Sequence, residues 1–152
     1  MPTKGDNSHA ALIDGLNGLL ADHIALWLKT KNFHWHVTGP RFHDLHLLFD
    51  AQAIEIQAQI DIIAERVRMN NAPTLTSLAS VSAATQIADQ DKKLEPDAMV
   101  AELLGDNEKL IERLKSLKDA ADKAGDNATD GLLDDWTDMA EQRAWFLRAT
   151  LA

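Results

Sequence analysis

Residues 32–50, NFHWHVTGPRFHDLHLLFD, contain four of the six histidines in the chain and determine how its first half folds. Thr38, Gly39 and Pro40 divide this stretch, because glycine interrupts helices and proline is well tolerated in the first turn of a new helix. Apolar residues recur at steps of three and four on both sides of the division, which is the spacing of one helical face. The stretch is therefore predicted to be the end of one helix, a short turn and the start of another.

Four long helices are predicted outward from this turn. Helix A covers residues 8–37, helix B covers residues 40–69, helix C begins at Pro96 and ends near Gly125, and helix D covers residues 129–151. Each helix has one apolar face, as a helix packed on a core requires. The residues predicted to face the core are Ile13, Leu16, Leu20, Ile24 and Trp27 in helix A; Phe42, Leu45, Phe49, Ala53, Ile56, Ile60, Ile63 and Val67 in helix B; Met99, Leu103, Leu110, Leu114 and Leu117 in helix C; and Leu133, Trp136, Ala140 and Leu147 in helix D.

The connection between helices B and C is much longer than the other two turns. Residues 77–84 within it are weakly patterned and are predicted to form one short extra helix. Four long helices with one long crossover are typical of an all-α, ferritin-like four-helix bundle, and a plain up-and-down bundle is the alternative. The length of the chain, 152 residues, predicts a single domain over residues 1–152.

The composition limits the kinds of site and partner that the chain can have. The absence of cysteine excludes disulfides and thiolate metal sites, so any metal must be held by nitrogen and oxygen. The N-terminal sequence has no signal-peptide pattern, and no apolar run is expected to span a bilayer, which suggests a soluble, cytoplasmic protein. A formal charge of −9 would repel nucleic-acid phosphates, although an acidic excess is also ordinary for a cytoplasmic protein.

Helix B carries two pairs of candidate metal ligands, His46 with Asp50 and Asp61 with Glu65. The members of each pair are four residues apart, and all four side chains lie within about a 100° arc of the helix surface. His46 and Asp61 are nevertheless separated by about 22 Å along the axis, so one chain cannot bind one ion with the whole set. An antiparallel pairing of two copies of helix B about a two-fold axis near Glu55 would bring the two pairs together.

Histidines near helix B extend this candidate site. His34 lies on the inward side of helix A, seven residues after Trp27, and could supply a second imidazole. Imidazole and carboxylate ligands without sulfur suit iron, manganese or zinc, and open positions suit redox-active iron. The alternative is that these are solvated acids and a helix-facing histidine; His36 and His43 are expected to be surface or supporting residues, and Trp35 to be a packing residue.

The sequence resembles the Dps family, the ferritin-like "DNA-binding proteins from starved cells". The resemblance rests on the segments FHWHVTGPRFHDLHLLFD (33–50), DIIAER (61–66) and GDNATDGLLDDWTDMAEQRAWFLRATLA (125–152), and it covers nearly the whole chain. It implies a hollow homododecamer that acts as a ferroxidase, oxidising Fe(II) with hydrogen peroxide, the preferred oxidant, or with O2, storing Fe(III) and protecting against oxidative stress. The ferroxidase ligands that it implies are His34, His46 and Asp50 of one subunit and Asp61 and Glu65 of its two-fold neighbour.

The resemblance also bears on iron entry and on DNA. Four acids resemble the family's three-fold pores, although helix N-terminal acids favoured by the helix dipole are the alternative; they are Asp126, Asp130, Asp134 and Asp135. Many DNA-binding members have a lysine-rich tail, whereas Lys4 is the only lysine or arginine before Lys29, which makes DNA binding doubtful. Residues 68–71, Arg-Met-Asn-Asn, replace a glycine pair that is common in the family, and we expect only a local loop change there.

Two other functions compete with the mini-ferritin hypothesis. One is a nucleoid protein that mainly covers DNA, with iron oxidation secondary, for which a basic tail would be needed. The other keeps the cage but uses a different metal or a hydrolytic reaction.

Overall fold

The computed structural model of the chain describes residues 6–152. It forms five helices, α1 (Asp6–His36), α2 (Phe42–Met69), α3 (Leu78–Ala84), α4 (Pro96–Ala124) and α5 (Asn127–Leu151), and no strand occurs in this range. Residues 1–5, which include Lys4, lie outside the described residues, as does the side chain of Asp6. The four long helices and the short extra helix confirm the predicted elements.

The long helices form a ferritin-like four-helix bundle. Helix α1 packs against α2 and against α4, and α4 packs against α5. Contacts such as Lys29 with Asp106 and Gln52 with Arg143 show that α4 runs antiparallel to α1 and α5 antiparallel to α2. Helices α1 and α2 are also antiparallel, because His34 faces His46 and Lys31 faces Asp50. Helices α2 and α4 therefore run in the same direction, and residues 70–95 must return along the bundle. This crossover confirms the predicted connectivity and excludes the up-and-down alternative.

The helix boundaries follow local backbone chemistry. Gly39 and Gly125 have φ angles of +106° and +71°, a left-handed conformation that glycine adopts without strain, and Gly125 caps α4. Helix α2 begins at Phe42 rather than at Pro40, because the residues before it form a turn. Asp126 caps α5, so that this helix begins two residues earlier than predicted. These differences are within the usual uncertainty of helix ends.

The predicted core is largely the observed core. Residues such as Phe49, Ile56 and Leu110 are completely buried, and Trp27 is half-buried against the same cluster. Phe42 is an exception, since 41% of it is exposed. It lies in the first turn of α2, beyond the end of the packed core, and the prediction that it faces inward is wrong.

The crossover is attached to α1 by buried charged groups. Asp22, which is fully buried, accepts hydrogen bonds from the Thr85 hydroxyl and the Gln86 backbone amide and is paired with Arg113 at 3.0 Å. Lys29 donates a hydrogen bond to the Ala88 carbonyl. Buried charges are tolerated when they are paired and hydrogen-bonded in this way. The crossover is thus held at a defined position beside α1.

Helix α1 is long and apolar enough to cross a membrane by length and composition alone, contrary to the expectation from sequence, but its apolar segment is 56% buried inside the bundle. The core helix of a soluble protein meets the same criteria, so this finding is weak evidence for a membrane span.

Candidate metal centre

The end of α1 and the start of α2 bring two histidines into direct contact. The imidazole rings of His34 and His46 stack with centroids 3.8 Å apart and planes 13° from parallel. The Nδ1 atom of each ring lies 2.7 Å from the backbone carbonyl oxygen of the other residue. The short turn at Gly39 makes this possible, because it returns the chain so that residues twelve apart face each other.

These two hydrogen bonds determine which ring nitrogen carries the proton. A carbonyl oxygen can only accept, so Nδ1 of His34 and Nδ1 of His46 must both donate. In the neutral rings the lone pair is then on Nε2, which is the atom available to a metal ion. Metal-binding histidines commonly donate their other nitrogen to a carbonyl or carboxylate in the same way. The pair is therefore oriented as metal ligands would be.

Asp50 lies beside this histidine pair and carries a hydrogen bond from a lysine. Lys31 Nζ is 2.8 Å from Asp50 Oδ1, and His34 Nε2 is 3.8 Å from the same oxygen. The hydrogen bond from Lys31 lowers the pKa of Asp50 below its usual value, and the positive charge of Lys31 adds to this effect. Asp50 is thus an ionised carboxylate next to a free imidazole nitrogen.

The other aromatic and histidine residues of this segment have separate positions. Phe42 stacks on His46 with ring centroids 5.0 Å apart, so it covers one face of the imidazole. His36 bonds through Nδ1 to the Asn32 carbonyl at 2.8 Å within its own helix. Trp35 is 56% exposed, so within one chain it is not the packing residue that was expected. His43 is also exposed.

Asp61 and Glu65 do not join the other candidate ligands within one chain. Both are exposed on α2, and Asp61 lies eleven residues beyond Asp50, about 16 Å along the helix axis. No group of three or more histidine, aspartate or glutamate side chains is close enough to hold an ion among the residues that the structure describes. Their meeting across a subunit contact stays a prediction.

The four predicted pore acids have different environments. Asp126 is mostly buried and accepts bonds from Thr129, Asn70 and Arg66. Burial alone would raise the pKa of Asp126, but the hydrogen bonds and the Arg66 charge outweigh it and lower the pKa to about 2. Asp126 therefore serves as a helix cap. Of the other three acids, all on α5, Asp130 and Asp134 pair with Lys118 of α4 at 3.0 and 2.7 Å, and Asp135 is exposed.

Sequence reasoning missed Lys31, although a signal for it was present. Lys31 lies three residues before His34, one turn back on the same face of α1, which directs both side chains toward α2. A protonated lysine cannot ligate a metal, so the pattern of candidate ligands does not point to it.

Comparison with known proteins identifies the family. Residues 13–152 match the ferritin-like domain family. The DNA protection during starvation protein of Brevibacillus brevis is 34% identical over 136 residues, which cover 90% of this chain and 91% of that protein. The chain belongs to the Dps family of ferritin-like proteins.

Two crystal structures place this Dps protein among its structural relatives. Dps from Thermosynechococcus elongatus superimposes with a TM-score of 0.96 at 27% identity and covers 99% of this chain and 96% of that one. The Dps protein from Vibrio cholerae O1, described as a member of the ferritin-like diiron-carboxylate superfamily, has a TM-score of 0.91 at 26% identity. The superposition covers 96% of this chain and 92% of that one.

Proposed function

We propose that this Dps protein is a ferroxidase that oxidises Fe(II) with hydrogen peroxide at a site shared between two subunits. The observation that carries the proposal is the reciprocal bonding of His34 and His46 through Nδ1, which directs the proton of each neutral ring to Nδ1 and leaves Nε2 of His34 3.8 Å from Asp50 Oδ1. Nitrogen and carboxylate oxygen are suitable ligands for Fe(II). The proposed site is completed by Asp61 and Glu65 of a second copy.

The surface of α2 supports the pairing of two copies. An apolar strip runs along the helix beside Asp61 and Glu65, and it is exposed in the single chain; it consists of Leu47, Ala51, Ile54, Ala58 and Ile62. Contiguous exposed apolar surface marks a contact with another molecule. Glu55, the residue nearest the proposed axis, bonds to Arg143 of its own chain, so small and apolar residues remain at the centre of the contact.

In the proposed reaction, two Fe(II) ions supply the two electrons that reduce one molecule of hydrogen peroxide. Each Fe(II) gives up one electron, and hydrogen peroxide accepts the two electrons with two protons, so that its O–O bond breaks and two waters form. Because both electrons are delivered at one site, no hydroxyl radical is released. Asp50, Asp61 and Glu65 would offset the additional positive charge that the irons acquire.

The proposal extends to the assembly and its setting. Iron is the substrate, and the Fe(III) product is stored inside a homododecameric cage made of single-domain subunits of residues 1–152. The expected setting is the cytoplasm, where the protein would limit oxidative stress. Asp130, Asp134 and Asp135 are the surface acids proposed to guide Fe(II) inward, whereas the bonds that Asp126 already makes argue for a structural role.

The test is an anaerobic titration of Fe(II)-loaded protein with hydrogen peroxide. We expect ferric absorbance to rise until about one peroxide is consumed per two irons. Iron and protein should then elute together from a size-exclusion column at the position of a dodecamer. Iron that oxidises no faster than in buffer and precipitates would contradict the proposal.

DNA binding is the second candidate function. It is favoured by the name of the Brevibacillus brevis relative, a DNA protection during starvation protein. The charge of −9 opposes it, because each neutralised phosphate requires a lysine or arginine.

A further inference from the structure

Lys31 is hydrogen-bonded to Asp50, the carboxylate that the proposed site would use to bind iron. Its ammonium lies 2.8 Å from Asp50 Oδ1, the same oxygen that is 3.8 Å from His34 Nε2. The side chain of Lys31 is 21% exposed and that of Asp50 is 34% exposed, so the pair is partly shielded from water. Lys31 therefore lies inside the ligand set and is not a distant surface charge.

The ammonium and a metal ion cannot use this oxygen together. Two ligands that each lie about 2.1 Å from one ion can be separated by up to about 4.2 Å, so His34 Nε2 and Asp50 Oδ1 are close enough to share an ion. Lysine donates hydrogen bonds and accepts none, so protonated Lys31 cannot become a ligand. A divalent cation at the same oxygen would repel it strongly at this distance.

We propose that Lys31 is a built-in competitor of the metal substrate, which holds Asp50 when iron is absent and must move away before a divalent cation binds. This inference rests on the proposed function. It also explains why a lysine is placed here: pairing two copies would bring Asp61 and Glu65 toward Asp50, and three carboxylates without a cation repel one another. Lys31 offsets that repulsion in the metal-free site and weakens metal binding.

The test is the affinity of the assembled protein for Co(II), measured by visible absorbance. Binding of this divalent ion is detected directly, without peroxide and without iron oxidation. We expect Lys31→Met to bind Co(II) about tenfold more tightly than the unchanged protein, equivalent to about 1.4 kcal/mol. Lys31→Gln should behave in the same way, and it keeps the test valid if the methionine variant misfolds. Equal or weaker binding by the folded variants would overturn the inference.

Two controls separate the role of Lys31 from overall charge and from the identity of the site. Lys115→Met removes one positive charge from an exposed lysine that pairs with Glu112 of its own helix at 3.6 Å, and it should leave the Co(II) affinity unchanged. A gain in affinity equal to that of the Lys31 variants would overturn the inference.

Asp61→Ala identifies the site that Co(II) occupies. If wild-type binding depends on Asp61 and the Lys31 variants do not change it, only the role of Lys31 is wrong. If Co(II) binding does not depend on Asp61 but is still tightened by the Lys31 variants, the sharing of the site between two subunits is wrong and the role of Lys31 at Asp50 stands.

Discussion

His23 is an imidazole that the bundle keeps neutral. It is buried on α1, its Nδ1 donates to the Leu19 carbonyl at 2.9 Å, and the charged Arg143 lies nearby. Burial is the main reason that the pKa of His23 falls to about 3, and the Arg143 charge adds to the effect. Protonation of His23 would place another positive charge beside the buried Arg143.

The folded pKa of His23 is lowered, so its contribution to stability is fully present above pH 6.5 and is lost as the pH falls from 6.5 toward 3. At about 1.4 kcal/mol per pH unit, this loss amounts to about 3 kcal/mol by pH 4. We expect the His23→Gln variant to lack most of this pH-dependent loss of stability, as measured by urea unfolding at several pH values. His9→Gln, at an exposed position on the same helix, should keep the wild-type pH profile. Parallel profiles for wild type and His23→Gln would refute this role.

Asp61 is exposed and makes no core contact, so its removal tests a ligand role without disturbing the fold. We expect Asp61→Ala to slow Fe(II) oxidation by at least about tenfold, because even residues that only support a metal ligand affect activity by about 10–100-fold. The assembly should remain intact on size exclusion. Asp44→Ala, an exposed acid at the start of α2, should oxidise iron normally. Dissociation of the Asp61 variant into smaller species would identify an interface residue instead.

At the scale of elements, the crossover depends on buried charges more than on its own helix. Helix α3 has a capping box made by Ser77 and Ser80 but no buried residue, so its packing contributes little to its position. Asp22 holds the following segment through Thr85 and Gln86. The crossover is therefore predicted to loosen when this carboxylate is lost, while the four long helices persist.

We expect Asp22→Ala to destabilise the protein by about 1–3 kcal/mol, because the fully buried carboxylate loses its hydrogen bonds to Thr85 and Gln86 and its ion pair with the partly exposed Arg113. Thermal unfolding would measure the loss, and limited proteolysis should show faster cleavage within residues 85–95. Asp14→Ala, at an exposed site on the same helix, should change neither result. Unchanged proteolysis in the Asp22 variant would mean that other contacts hold the crossover.

The helices were predictable because their apolar spacing and their glycine and proline boundaries are local properties of the sequence. The prediction that Phe42 faces the core was wrong, because periodicity does not reveal that the core ends before the first turn of α2. The placement of His34 against His46 needed the turn geometry, and Lys31 was missed because its role depends on a neighbour nineteen residues away. A contact between subunits leaves only an indirect trace in one chain.

At the scale of the whole molecule, charge argues against DNA as the main partner. Each copy contributes −9, so an assembly of identical copies would carry a large negative field that repels phosphates. The basic side chains of the bundle are also largely engaged with acids, as Arg66 is with Asp126 and Lys118 with Asp130. These ion pairs reduce the positive charge that can displace counterions from DNA.

The corresponding prediction concerns the salt dependence of DNA binding. In a gel-shift titration we expect no complex near physiological ionic strength, about 0.15 M, and weak binding only at low salt or with a divalent cation that bridges acids to phosphates. A variant with a lysine-rich N-terminal extension is the matched control, because added cations should produce binding that falls steeply with salt. Tight binding by the unmodified protein at physiological salt would contradict the charge argument and favour DNA cover over iron oxidation as the main role.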